Sequence, residues 1–263
     1  MSDSVLRLSA SLFPKYDDFL AHLLDQITSA EHDLHLVYLD VNETWAHDTW
    51  DVLEQGEEER SLRKTYNSVT HTFWVKIMPN FLHDCIQVWN RDVMISWMGH
   101  GMISLDELKY LRPFVGTTLG FDSGPYRGSR KDPDLFVLPG AQVLPPIVMQ
   151  SGWEESLPEM QNDKDLLLIG GEGEIQVVFI ARWRIHADGV HVSGILEVYV
   201  IFPRPLDGTG QNDVVKVTRR QLFGRNSVDN HDPNDIFEYS LEGLRRLATM
   251  FMARMELAPA EEF

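Results

Sequence analysis

Two apolar segments in the second half of the chain each carry a side chain that could bind a divalent metal. Asp134 follows Pro133 at the start of one short run, and Gln150 ends the next run, Ile147-Val148-Met149. If the two runs pair as a hairpin, both side chains lie at one edge of a sheet. Mg²⁺ prefers oxygen ligands, and a bound metal polarises a phosphate and activates the attacking water. One hypothesis is therefore a Mg²⁺ site for phosphodiester cleavage, with Asp134 as the main ligand and Gln150 and the Ser151 carbonyl as weaker ones.

Lys164 is the candidate cation for the same site. It lies on a predicted helix in which the apolar residues Leu157, Met160, Leu167 and Leu168 recur at helical spacing, and it falls in the middle of their stripe. Because a lysine on a buried face normally has a partner, one interpretation directs Lys164 inward to Asp134, where it would stabilise the charge of the transition state. In the other interpretation Lys164 lies at the edge of the stripe and extends its ammonium into water.

Each of the other candidate residues could have a structural role instead of a role in a metal site. Asp134 could be a turn residue, and Gln150 could simply satisfy the edge of a strand. One of the acids at 154–155 could supply a displaced metal ligand. Lys131 could contact a phosphate as a point charge, but we expect it to be exposed to solvent. Glu107 would be the acid of the preceding helix in an active enzyme, although a surface position on an amphipathic helix is the simpler expectation.

A longer series of residues surrounds these candidates, in order and without large gaps. It comprises Gly128, Ser129, Lys131, Pro133 and Asp134, then Pro146, Val148, Gln150, Gly152, Glu155 and Ser156, then Leu157, Asp163, Lys164 and Leu167, and later residues 196–199, 201–205, 222–224 and 241–246. From Gly128 to Met255 the chain resembles the fungal members of the PD-(D/E)XK nuclease-like superfamily. The resemblance implies an α/β fold of the restriction-endonuclease-like class, with a mixed sheet core flanked by helices.

Two positions depart from the pattern of that superfamily. Gln150 stands where the second acid would be, and Gly152 stands where the lysine of the (D/E)-x-K step would be. Superfamily members are known to move this lysine onto the following helix, which is where Lys164 lies. A neutral glutamine weakens a site for a hard cation. The resemblance therefore implies a catalytically impaired protein that acts as an interaction or regulatory module, with an active Mg²⁺-dependent nuclease for DNA or RNA as the alternative.

The elements that must position these residues divide the chain into two regions. Residues 12–113 have apolar positions at helix-like spacing and many aromatic residues, which predicts helices. Between 114 and 203, short β-branched runs separated by Gly and Pro predict strands, with one crossover helix from about Ser156 to Ile169. Ser240 is a predicted N-cap for an amphipathic C-terminal helix. We expect a helical N-terminal region at 1–113 packed on an α/β core with a C-terminal helix at 114–263.

Composition narrows the classes of partner. Forty acidic and 23 basic residues give a formal net charge of −17, which repels polyanions at long range and disfavours binding to nucleic acid. A protein partner is the alternative, and the composition does not indicate which. The single Cys85 excludes an intramolecular disulfide, and the histidines have no zinc spacing. Without a signal peptide or a membrane-length apolar run, we expect an intracellular protein, cytoplasmic or nuclear, that does not bind membranes.

Overall fold

The computed structural model describes residues 4–56, 61–77, 81–200, 214–224 and 231–260. In chain order, the first elements are β1 (Ser4–Ser9), α1 (Tyr16–Ser29), β2 (Leu34–Leu39), α2 (Glu43–Gln55), β3 (Leu62–Asn67) and β4 (Thr72–Ile77). They are followed by α3 (Phe81–Gly99), α4 (Leu105–Tyr110), β5 (Leu111–Phe114), β6 (Leu119–Gly120), β7 (Arg130–Lys131), β8 (Leu135–Pro139) and β9 (Ile147–Trp153). The last elements are α5 (Leu157–Gly170), β10 (Val177–Ile185), β11 (His191–Val200), β12 (Val214–Thr218), α6 (Arg219–Phe223), β13 (Ile236–Ser240), α7 (Leu241–Arg254) and β14 (Ala258–Pro259). The motif at 201–205 lies outside the described residues.

The first sheet corrects the prediction of a helical N-terminal region. Its six strands run in the order β1-β2-β4-β3-β7-β6, and four of them lie before residue 78, where helices were expected. The sheet also includes β6 and β7, from beyond the predicted boundary at 113. Every residue of β4 is buried, so the strand lacks the alternation of an exposed sheet and cannot be distinguished from a buried helix by periodicity.

The second sheet carries the predicted hairpin and crossover helix. Its order is β14-β11-β10-β9-β8-β5. Strands β5, β8 and β9 pair antiparallel in succession, α5 follows β9, and β10 then returns parallel to β9. The C-terminal helix α7 begins after Ser240, whose side chain accepts a hydrogen bond from the Gly243 N–H. The α/β class, the crossover helix and the capped C-terminal helix are therefore confirmed.

Three apolar clusters hold these layers together. Helices α1 and α2 cover one face of the first sheet, with Phe19 and Trp50 among the buried residues. Helices α3 and α7 cover one face of the second sheet, and α5 covers its other face. The remaining face of the first sheet, here called the inner face, contacts α5 and β9 through polar side chains. The two halves of the protein thus meet in a polar layer, and the candidate site lies within it.

Candidate functional site

Strand register places Asp134 beside Gln150. Leu135 pairs with Met149 in the antiparallel ladder of β8 and β9, so Asp134, one residue before β8, lies opposite Gln150. The Ser151 N–H donates to Asp134 Oδ2 over 2.8 Å. Both side chains are buried, with 7% of Asp134 and 3% of Gln150 exposed. The structure therefore brings these two predicted residues together, but inside the protein and not at an open edge.

The cations beside Asp134 come from the first sheet. Lys76 Nζ lies 3.7 Å from Asp134 Oδ2 and donates to the Ser151 carbonyl over 2.8 Å. The same ammonium is 3.1 Å from His83 Nδ1. Arg63 Nε lies 3.9 Å from Asp134 Oδ1. Lys76 was missed as a candidate, although a lysine inside the apolar run Phe73-Trp74-Val75-Lys76-Ile77 was a visible sign that it needed a buried partner.

Register in the first sheet aligns the side chains of the inner face in rows, and two of these rows hold the lysines beside the candidate site. Directly opposite residues in neighbouring strands point to the same face. One row contains His35, Lys76 and Arg63, from β2, β4 and β3. The second row contains Val37, Trp74, Thr65 and Lys131, from β2, β4, β3 and β7. Sheet pairing, and not sequence proximity, thus collects the cations that face the carboxylates of the second half.

Lys164 does not join this site. Its ammonium lies 2.9 Å from Asp165 Oδ1 and 4.9 Å from the centre of the Tyr199 ring, and 19% of its side chain is exposed. The prediction that Lys164 reaches Asp134 is wrong. Helix α5 instead turns Glu159 and Asp163, four residues apart, towards the inner face, and a residue next to Asp163 points about 100° away from it around the helix.

Asp163 is paired with Lys131, which we expected in solvent. Lys131 is buried, and its Nζ lies 2.5 Å from Asp163 Oδ2 and 3.2 Å from Thr65 Oγ1. The Trp74 indole N–H donates to Asp163 Oδ1 over 3.3 Å, and the Lys131 ammonium lies 4.7 Å from the centre of that ring. The expectation of an exposed Lys131 is therefore wrong, and two residues of the motif series form a structural ion pair.

Two other acids that the sequence offered as candidates, Glu107 and Glu154, form ion pairs with arginines. Glu107, expected at the surface, is buried, which makes that expectation wrong. It forms a capping box with Ser104, and Arg219 Nη1 donates to its Oε1 over 2.5 Å. Glu154 makes ion pairs with Arg182 and Arg184. Glu154 is thus committed to these arginines, and the side chain of its neighbour at 155 lies outside the described part of the structure.

Burial and neighbouring charges shift the protonation equilibria of this layer. Burial by itself raises the pKa of Asp134, but the charge of Lys76, the Ser151 N–H and the charge of Arg63 together hold that pKa below its ordinary value. Burial, reinforced by the Lys76 charge, lowers the pKa of His83 to about 3, and the same two causes lower the pKa of His35 well below its ordinary value. Both imidazoles are therefore neutral near pH 7, and His83 Nδ1 accepts a hydrogen bond from the Lys76 ammonium.

These groups do not fit Mg²⁺. Asp134 is the one carboxylate of the predicted ligand set, and Gln150 adds a neutral amide whose Nε2 is buried without a hydrogen-bond partner in the described structure. Lys76 lies beside Asp134 Oδ2 and the Ser151 carbonyl, two of the oxygens assigned to the metal. In the residues that the structure describes, no group of three or more His, Cys, Asp or Glu side chains could hold a metal ion. A divalent cation bound to these oxygens would lie next to the Lys76 ammonium, which repels it and already contacts the same oxygens.

Comparisons with known proteins add no family to this description. No protein-family model matches the chain, and no curated protein is significantly similar to it in sequence. Among the described helices, none is both long enough and apolar enough to cross a membrane. The functional argument therefore rests on the residues and geometry of the polar layer.

Proposed function

We propose that this protein is a noncatalytic relative of the PD-(D/E)XK nucleases that uses the fold as an interaction or regulatory module. The observation that carries this proposal is the burial of Asp134 and Gln150 beneath the inner face of the first sheet. The arrangement of the second sheet supports the relationship. Asp134 and Gln150 lie on a hairpin, β8 and β9, and the crossover helix α5 leads to a parallel strand, which is the mixed sheet expected of a restriction-endonuclease-like core.

Access is the first argument against cleavage. A phosphodiester must come within direct contact of the groups that stabilise its transition state. Asp134 already accepts the Ser151 N–H and lies beside Lys76 and Arg63, all within a layer closed by β3, β4 and β9. A nucleic-acid backbone could reach the carboxylate only if the two halves separated.

Surface charge is the second argument. Helices α1 and α2 form the outer layer of the first sheet, and neither contains Lys or Arg. Their exposed acids are Asp17, Asp18, Asp25, Glu43, Asp48, Asp51 and Glu54. Such a face repels phosphates at moderate ionic strength, which favours a protein partner over DNA or RNA.

A nuclease assay tests the proposal directly. Wild-type protein and Asp134→Asn are incubated with Mg²⁺ or Mn²⁺ and single-stranded or duplex DNA and RNA, and products are separated by electrophoresis. Asparagine keeps the shape and can still accept the Ser151 N–H, so the variant is a matched control. We expect equal, background-level cleavage from both proteins. Metal-dependent cleavage by the wild type that Asp134→Asn abolishes would instead establish the active nuclease.

A further inference from the structure

We propose that the outer edge of β11 binds an extended segment of a basic partner protein, which joins the second sheet as an additional strand. The surface comprises residues 193–200 and is here called the β11 edge. The inference rests on the proposed function, because it names the surface and the class of partner through which a noncatalytic module of this fold would act. The segment that fits this edge alternates apolar residues with lysine or arginine.

Strand β11 has a neighbour on its outer side only at its beginning. It pairs with β10 along its length, whereas β14 pairs with it at His191 and Val192 alone among the described residues. The Ala260 N–H donates to the Val192 carbonyl over 2.8 Å, so Val192 directs its backbone groups away from β10. Backbone groups alternate in direction along an antiparallel strand. Every second residue after Val192 therefore also directs its N–H and carbonyl outward.

The outward residues of the β11 edge are Gly194, Leu196, Val198 and Val200. Within the described ranges, no hydrogen bond joins their backbone N–H groups or carbonyls to another part of the chain. Water can bind such groups one at a time. An extended peptide binds all of them in register, which is the basis of recognition by strand addition.

The β11 edge also lacks the features that usually keep a sheet edge from pairing. Short strands, proline and charged side chains have that effect. The opposite edge of the second sheet has all three, because β5 is four residues long and contains Arg112 and Pro113. Residues 193–200 contain no proline, and Glu197 is their single charged residue. The composition of the β11 edge is therefore that of a strand that accepts a neighbour.

The two faces of the β11 edge define the side chains that an added strand needs. Leu196, Val198 and Val200 are partly buried and pack against the apolar cluster under α3 and α7. Neighbouring side chains on that face of an added strand are therefore favoured when they are apolar. Alternation places Ile195 and Glu197 on the other face, where Ile195 is 54% exposed. The added strand is accordingly polar on that side.

Net charge selects a basic segment among the polar ones. Close to the edge the charges balance, since Glu154 and Glu197 pair with Arg182 and Arg184. The whole chain carries a formal charge of −17, which attracts a basic segment and repels an acidic one or a second copy of this chain. The occupant is therefore a segment of another, basic protein.

Binding of model peptides to the full chain tests the proposal. A fluorescein-labelled peptide of alternating valine and lysine is titrated with the protein and followed by fluorescence anisotropy, beside a control peptide of alternating valine and glutamate. We expect about one lysine peptide per chain, binding that weakens as salt is added, and no saturable binding of the glutamate peptide.

Substitutions at position 198 test the backbone contacts. Val198→Pro removes an outward N–H and leaves the hydrogen bonds to β10 in place, a position where sheets tolerate proline. It should weaken binding of the lysine peptide by about tenfold. Val198→Ala is the matched control, because it shortens the side chain but keeps the N–H, and it should lose less affinity than Val198→Pro.

Amide hydrogen exchange locates the bound peptide. In the free protein the outward amides of Leu196 and Val198 should exchange quickly, whereas those of Glu197 and Tyr199, which face β10, should exchange slowly. The lysine peptide should slow exchange at Leu196 and Val198 by about tenfold or more. Outward amides that are already protected in the free monomer would overturn the proposal.

Two binding results would also overturn it. One is a folded wild-type protein that does not bind the lysine peptide, and the other is a dimer that Val198→Pro converts to a monomer in sedimentation velocity, which would make a second copy the occupant. If Val198→Pro does not fold, an N-methylated lysine peptide replaces it, and equal binding of the methylated and unmethylated peptides to the wild type rejects the proposal.

The outcome is separable from the nuclease assay, because no variant here changes Asp134 or its contacts. Absence of peptide binding together with background-level cleavage would refute the β11 edge and leave the proposed function standing. Metal-dependent cleavage that Asp134→Asn abolishes would refute the proposed function itself.

Discussion

Replacing Lys131 by methionine tests whether buried ion pairs hold the polar layer together. The substitution keeps most of the side-chain volume, so the cavity contribution is small. It removes the ammonium from Asp163 and from Thr65 Oγ1, and leaves the carboxylate buried with the Trp74 N–H as its remaining described hydrogen bond. Breaking a buried pair by removing one partner costs about 3–5 kcal/mol. We expect Lys131→Met to lower the free energy of unfolding by that amount.

Urea titration followed by tryptophan fluorescence measures this loss, and an unchanged slope shows that the two-state comparison holds. Adding Asp163→Asn to Lys131→Met should recover about half or more of the loss, because the buried charge is gone while the Trp74 bond is kept. The control is Lys109→Met, whose pair with Asp106 is 65% and 93% exposed and contributes at most about 0.5 kcal/mol. If Lys131→Met costs no more than this control, or if Asp163→Asn recovers nothing, the account of the layer is wrong.

Three further predictions concern the groups around this layer. The folded pKa of His83 is about 3, so the unfolded chain, with an ordinary pKa near 6.5, binds more protons between these values. The free energy of unfolding therefore falls as the pH drops from about 6.5, by about 2 kcal/mol at pH 5. Urea titrations at several pH values should show that His83→Asn loses less stability in acid than the wild type does. The same pH profile for both proteins would contradict this. Arg219→Met should lower the free energy of unfolding by about 3–5 kcal/mol, because it leaves the buried Glu107 carboxylate without its cation. The control Arg220→Met, at an exposed position, should change it almost not at all. Equal urea midpoints for the two variants would exclude the Arg219–Glu107 pair as a stabilising contact. Lys164→Met should change the free energy of unfolding by no more than about 1 kcal/mol. A loss as large as that of Lys131→Met would show that Lys164 takes part in a buried ion pair.

Strands β8 to β11 of the second sheet could be predicted because their signals are local. Short β-branched runs end in Gly and Pro, Ser240 caps α7, and the crossover helix ends near Gly170. A hairpin between two such runs places Asp134 near Gln150 without any knowledge of the rest of the fold. These features depend on contacts between residues close in sequence.

The first sheet could not be predicted because its central strands, β2, β3 and β4, are largely buried on both faces. The apolar and aromatic residues of β4 serve the cluster under α1 and α2 on one side and the polar layer on the other. Their pattern therefore lacks a period of two. Strand order β1-β2-β4-β3-β7-β6 also joins segments that are far apart along the chain.

The lysine that lies beside Asp134 also depends on contacts between segments far apart in the sequence. The residue types in the sequence by themselves determined that a neutral glutamine stands at position 150, where the resemblance implies an acid, and that Asp134 needs a cation if it is buried. Only the tertiary structure decided that Lys76 approaches Asp134 and that Lys164 contacts Asp165. The physical reason is that helix periodicity defines a stripe, but the first sheet decides which side of α5 is covered by cations. The apolar stripe of α5 thus predicted that residues near Lys164 are buried. The pairing of strands in the first sheet decided that Lys76, and not Lys164, is the lysine beside Asp134.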